Sequence, residues 1–219
     1  MAHELVLFDL DNTLLDRDAA FKVWATEFVR ENQLAPDSLA TIIRIDVDGS
    51  TPRRILFEET KELFGIASEV EVLLARYYVE YPACYTVSDD VVRALRRLHS
   101  RGYKLGVVPN GPPSQLRKLE VTNLIDEFDA VCISEVVGVR KPDAAIFEEA
   151  ARRCSLPLSG WMIGDSQIAD IAGGHAVGLR TIWMTRGRTW ESSVPRPDGM
   201  ALTIPDAVDI VISHSRSTV

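Results

Sequence analysis

Two aspartates two positions apart, Asp9 and Asp11, close the apolar run Leu5 to Phe8 in the stretch ELVLFDLDNTLL. Carboxylates are almost never fully buried unless paired or metal-bound, so a strand that ends on two of them projects both into a shared cleft. The same spacing also occurs in calcium loops and in ordinary acidic turns, and the stretch alone leaves those readings open. Asn12 and Thr13 supply turn chemistry directly afterwards. A second acidic set follows far downstream, Gly164-Asp165-Ser166 and then Asp170, with Gly173, Gly174 and Gly178 behind it. If the four carboxylates converge they repel by roughly 4 kcal/mol per close pair at an effective dielectric near 20, and a divalent cation is the natural remedy. All-oxygen ligation without His or Cys points to Mg²⁺ rather than zinc. Lys141, in the turn Arg140-Lys141-Pro142, reads as a solvated lysine by itself and as a counter-charge if it lies beside the carboxylates.

The elements that must position these groups follow from periodicity. Leu5 to Phe8 reads as a buried strand. Helical spacing then runs from Asp18 to Asn32, with Phe21, Trp24, Ala25, Phe28 and Val29 on one face. Further helices are predicted near Asp37 to Val47, Pro52 to Phe64 and Ser68 to Tyr81, punctuated by Gly49, Pro52, Gly65 and Pro82. Residues 17–83 therefore form an all-helical insertion after the first strand, whose Arg44, Arg53, Arg54 and Arg76 read mostly as a solvated helix face. Beyond Thr86 helix and strand alternate. Ser88 caps a helix to about Arg101, followed by a strand over Tyr103 to Val108, a helix over Ser114 to Val121 and a strand over Phe128 to Ser134. A helix over Asp143 to Cys154, a strand over Trp161 to Gly164, a helix over Gln167 to Val177 and a strand over Thr181 to Met184 come next. Thr185 to Pro205 reads as mostly loop, and Val208 to Ile212 as a last strand. Such alternation implies a three-layer α/β fold with a parallel sheet, formed by residues 1–16 and 84–219. Ligands of such sheets sit at the carboxyl ends of the strands, where Asp9, Asp11, Asn110, Gly111 and Asp165 fall.

Composition narrows the function classes. The net charge of −8 opposes a nucleic-acid partner, which needs clustered basic residues. No stretch approaches the ~18 apolar residues of a membrane span, and no secretory signal is visible. Cys84, Cys132 and Cys154 show no CxxC spacing and read as free thiols of a cytoplasmic protein.

FDLDNTLL, the Asn-Gly turn, GVRKPDAAIF and GDSQIADIAGGHAVG, in this order and spacing, resemble the four motifs of the haloacid dehalogenase superfamily, from Val6 to about Met184. The resemblance implies a Rossmann-like core carrying a helical cap of the first type. It further implies Asp9 as nucleophile, Asp11 as general acid and base, and Lys141 as the cation that steadies nucleophile and phosphoryl group. Asn110 and Gly111 would contact the substrate, and Asp9, Asp11, Asp165 and Asp170 would form the metal site. The chemistry suits the residues: a carboxylate attacks phosphorus to give an aspartyl-phosphate, and a second acid, its proton affinity raised by acidic neighbours, serves the leaving group and then water. The implied activity is a Mg²⁺-dependent phosphatase for a small phosphorylated metabolite, in a monomer or homodimer. A 2-haloacid dehalogenase is the alternative from the same fold, and true dehalogenases lack the second aspartate. One departure stands out: Pro109 occupies the place of the usual Thr or Ser before Asn-Gly and offers neither hydroxyl nor N–H. Phosphate contacts would then fall to the backbone amides of Asn110 and Gly111 and to Ser114, and a weakly active phosphate- and metal-binding protein stays in view.

Overall fold

The computed structural model describes residues 4–191 and 193–215. The chain divides into two compact units, one made of residues up to Leu15 with those from Val87 onward, the other of Asp16–Thr86.

The first unit is built on six parallel strands: β1 (Leu5–Phe8), β2 (Lys104–Val107), β3 (Ala130–Val131), β4 (Gly160–Gly164), β5 (Arg180–Met184) and β6 (Gly199–Ala201). Their order is β3-β2-β1-β4-β5-β6. β1 pairs with β2 on one edge, Leu5 opposite Lys104, and with β4 on the other, Leu5 opposite Gly160. All four β1 residues are wholly buried, which is why the strand is an unbroken apolar run rather than an alternating one. The order reverses direction beside β1, so its carboxyl end opens into the crevice where ligands of such sheets bind.

Leu5 and Leu7 share a core with Val108, Met162 and the apolar face of helix α8 (Ala144–Arg153), including Ile146, Phe147 and Ala150. Elsewhere α5 (Asp89–His99), capped by Ser88 as the sequence predicts, packs against α10 (Ile204–Ser215). Three short helices, α6 (Gln115–Val121), α7 (Ser134–Val137) and α9 (Gly173–Ala176), follow strands β2, β3 and β4.

Two expectations are corrected here. Val208 to Ile212 is not a strand but part of α10, because Ile204, Ala207, Val208, Val211 and Ile212 bury one helical stripe. The helix is opened by reciprocal bonds between Thr203 and Asp206, a capping signal that the mostly apolar stretch Val208 to Ile212, interrupted by Asp209, outweighs in a periodicity reading. Thr185 to Pro205 is mostly loop among the described residues, as expected, and includes the edge strand β6, three residues long and paired to β5. The strand predicted over Phe128 to Ser134 is shortened to Ala130–Val131, since Ser134 already begins α7.

The second unit consists of α1 (Arg17–Glu31), α2 (Ser38–Asp46), α3 (Arg53–Phe64) and α4 (Val70–Glu80), closed by a 3₁₀ turn over Tyr81–Cys84. Trp24 sits at its centre, with ring centroids 4.9 Å from Tyr77, 5.1 Å from Phe28 and 5.7 Å from Phe57. Arg54 and Arg76 pair with surface glutamates, as a solvated face requires. Arg53 does not: it lies 2.6 Å from the buried Asp46, whose other oxygen takes Arg17 at 2.5 Å. Cys84, Cys132 and Cys154 are free thiols. Among the described residues no helix is long and apolar enough to cross a membrane.

Candidate active site

The end of β1 delivers Asp9, whose backbone N–H continues the sheet by donating to Ile163 O at 2.9 Å. Beyond it the chain bends back at once: Leu14 and Leu15 both donate to Leu10 O at 3.0 Å, and Asn12 takes a left-handed conformation with φ 62°. Lys141 arrives from a distant loop and is almost fully buried. Its Nζ donates to Asp9 Oδ1 at 2.7 Å and to Asp170 Oδ1 at 2.6 Å. Asn110 fixes that lysine from behind: its Nδ2 donates to Lys141 O and its Oδ1 accepts from Lys141 N, both at 2.9 Å.

Asp170 is set by a π-helical turn over Gln167–Ala172 that runs into α9. Ser166 and this turn cap each other, Ser166 N donating to Asp170 Oδ2 at 2.9 Å and Ala169 N to Ser166 Oγ at 3.1 Å. The close approach explains Gly164, since a Cβ there would fall inside the Asp170 carboxylate. Asp165, at the end of β4, is bonded at Oδ2 by Arg188 at 2.9 Å, and its carbonyl accepts from Trp183 Nε1, also at 2.9 Å.

Asp9, Asp165 and Asp170 each offer an oxygen within 4.8 Å of the others. Burial raises the Asp9 carboxyl to about 7; Lys141 pulls the other way, while Asp170 and Asp165 push it further up. Burial, and then Asp170, raise Asp165 to about 6 against Arg188. Burial alone would lower the Lys141 ammonium, yet Asp170 and Asp9 outweigh it and hold the group above its ordinary value. Burial is the main reason that both carboxyls resist ionisation, and the neighbouring Asp170 adds to it. Such an oxygen-only set suits a hard divalent cation.

Asp11 is not in this cluster. Its Oδ2 takes Lys118 Nζ at 2.5 Å and Gln115 Nε2 at 3.0 Å, both from α6. The sequence reading counts the Asp11 carboxylate with the metal-holding set, whereas the three carboxylates whose oxygens the structure brings within 4.8 Å of one another are those of Asp9, Asp165 and Asp170. The expected free amide of Gly111 is also engaged, donating to Ser134 Oγ at 2.9 Å. From α6 it is Gln115 and Lys118 that reach Asp11.

Residues 3–178 match the family model described as haloacid dehalogenase-like hydrolase. The chain belongs to the haloacid dehalogenase-like hydrolases. It is 31% identical to a glyceraldehyde 3-phosphate phosphatase of Methanothermobacter thermautotrophicus, over 93% of this chain and 95% of that one. It is 30% identical to the pyrimidine 5'-nucleotidase PynA of Streptococcus pneumoniae, over 84% of each. Among solved structures, the Bacillus subtilis hydrolase YfnB, described as bound to magnesium, superposes with a TM-score of 0.77 at 24% identity, covering 96% of this chain and 99% of that one. In this haloacid dehalogenase-like hydrolase the groups that sequence reasoning missed are Gln115, Lys118, Ser134 and Arg188. For two of them a signal existed: Gln115, Lys118 and Leu119 of α6, with Thr122 at its C-terminal cap, form one buried stripe, three polar residues where a core face expects apolar ones.

Proposed function

We propose that the protein is a Mg²⁺-dependent phosphatase that hydrolyses a small phosphomonoester through an aspartyl-phosphate on Asp9. One observation carries the reading: two carboxylates two residues apart occupy different electrostatic settings, Asp9 on Lys141 within an acidic cluster and Asp11 on Lys118 and Gln115. Separate environments are what separate roles require. Asp9 attacks phosphorus as a carboxylate, while Asp11 gives a proton to the departing alkoxide oxygen. Asp11 then takes a proton from the water that attacks the aspartyl-phosphate, releasing inorganic phosphate and restoring Asp9. Lys141 keeps the attacking carboxylate oriented and offsets its charge. Asp9, Asp165 and Asp170 would hold the cation. Bound there, it supplies positive charge to the phosphoryl oxygens.

The phosphatase and nucleotidase names of the relatives support phosphate esters of small metabolites as the substrate class. The test is phosphate release from a panel of sugar, triose and nucleoside monophosphates, with Mg²⁺ and with excess chelator, alongside halide release from 2-haloacids. Mg²⁺-dependent phosphate release that Asp9→Asn abolishes supports the reading. Halide release without phosphate release, or full activity in chelator, overturns it.

A further inference from the structure

Resting on that reading of Asp11 as acid and base, we infer that Gln115 and Lys118 are positioning residues whose task is to fix the Asp11 carboxylate toward the leaving group. Both side chains are buried, and both donate to the same atom, Asp11 Oδ2, across more than a hundred residues of sequence. They stand one turn apart on α6, so a single short helix presents an ammonium and an amide side by side. With Oδ2 doubly held, the carboxylate loses its freedom to turn about its own axis.

Gln115 bears a cost for this placement. Its Nε2 donates to Asp11 Oδ2 and to Asn110 O, at 3.0 and 3.3 Å, while its buried Oε1 has no hydrogen-bond partner. The reversed amide would turn its oxygen toward two acceptors, so the network fixes the orientation and with it the orphaned oxygen. A buried acceptor without a donor destabilises a fold, and an apolar side chain of similar length would remove that penalty. The preceding turn makes room for the same amide. At Gly111, φ is 152° and a Cβ would lie 2.9 Å from Gln115 Nε2 and 3.2 Å from its Cγ. The glycine of the Asn-Gly turn is thus needed where Gln115 passes over it.

The experiment compares the parent with Gln115→Met, Lys118→Met, Lys118→Arg and, as the ceiling of the effect, Asp11→Asn. The value of kcat/KM, which reports the steps up to departure of the leaving group and not the later hydrolysis of the aspartyl-phosphate, is measured in Mg²⁺ on 4-nitrophenyl phosphate, whose leaving group needs no proton, and on an alkyl phosphate, whose leaving group does. Misplacing a general acid costs about a hundredfold, so Lys118→Met and Gln115→Met lose up to that on the alkyl ester and under about threefold on the nitrophenyl ester, with KM little changed. Lys118→Arg restores part of the alkyl-ester rate. Gln115→Met leaves the thermal midpoint unchanged or raises it while turnover falls, an opposition that a purely structural role would not produce. Equal losses on both esters, or a parent-like profile in both methionine variants, overturn the inference and leave the phosphatase reading standing. A parent that releases phosphate from neither ester nor any of the metabolite panel overturns both.

Discussion

Replacing Lys141 with methionine removes a positive charge from between two carboxylates while keeping most of the side-chain volume. The ammonium is 2.7 Å from Asp9 Oδ1 and 2.6 Å from Asp170 Oδ1, with 1% of the side chain exposed. Unit charges about 4 Å apart attract by about 4 kcal/mol at an effective dielectric near 20, and desolvation of the ammonium offsets much of the gross gain from two such pairs. Removing one partner of a buried pair costs about 3 to 5 kcal/mol net, a fall of about 6 to 20 °C in thermal midpoint for a chain of this size. That fall has a ceiling, because Asp9, already raised to about 7, escapes by taking a proton. The loss is therefore smaller near pH 5 than near pH 8. For the cation the sign reverses. A site short of one positive charge holds a divalent ion more tightly, about tenfold for each 1.4 kcal/mol gained. Calorimetric titration with Mg²⁺, scanning fluorimetry and phosphate release together read all three effects: a lower midpoint, a tighter cation and no turnover. Weaker cation binding, or turnover within about tenfold of the parent, refutes the view of Lys141 as the neutralising charge.

Three further outcomes are expected. Asp9→Asn abolishes phosphate release and, in chelator near pH 8, raises the thermal midpoint, because it removes a carboxylate that the fold holds in an unfavourable ionised state; a lower midpoint contradicts the raised value at Asp9. In the parent the metal-free fold keeps protons on Asp9 and Asp165 that the unfolded chain has released, so their contribution falls as pH rises from about 4 through about 6 and 7, and Mg²⁺ flattens that slope; midpoints across pH with and without the ion, compared with Asp9→Asn, measure it. Pro109→Thr restores a hydroxyl before the Asn-Gly turn, and a donor to a charged oxygen worth about 1.5 to 3 kcal/mol predicts turnover about ten- to a hundredfold faster. The Ser134 N–H to residue 109 carbonyl bond, 3.1 Å, involves only backbone and survives the change, so a folded variant that is no faster shows the hydroxyl is not what limits the rate.

What the sequence discloses here is what lies next to a strand end. Alternation of strand and helix puts Asp9, Asn110 and Asp165 at carboxyl ends of the sheet, and the parallel order follows from the crossovers. Local patterns are silent about partners that meet only through tertiary structure. Lys118 and Gln115 reach Asp11 across 107 and 104 residues, and Arg188 reaches Asp165 across 23, with no periodicity linking them. Hence a count of charges from the motifs gives four acids and one lysine, whereas the folded unit sets three cations, Lys141, Lys118 and Arg188, on those acids. The misread α10 has another origin. Five residues such as Val208 to Ile212 suit a strand or a buried helix equally, and the Thr203 and Asp206 cap decides between them only when weighed as heavily as hydrophobicity.

The pairing of β1 has a consequence for how the molecule comes together. Its partners lie roughly 100 residues onward in β2 and roughly 155 onward in β4, so the central strand has no local neighbour to join. Contacts of that sequence separation require closing long loops before any energy is returned, which makes them slow to form. The helices of Asp16–Thr86, by contrast, find one another within a contiguous segment. Asp9 meets Lys141 and Asp170 only once the distant strands have closed on β1. Recovery of turnover during refolding therefore times the closing of the sheet, while the fluorescence of Trp24, buried among the rings of the helical segment and read in a variant whose Trp161, Trp183 and Trp190 are replaced by phenylalanine, times an earlier event.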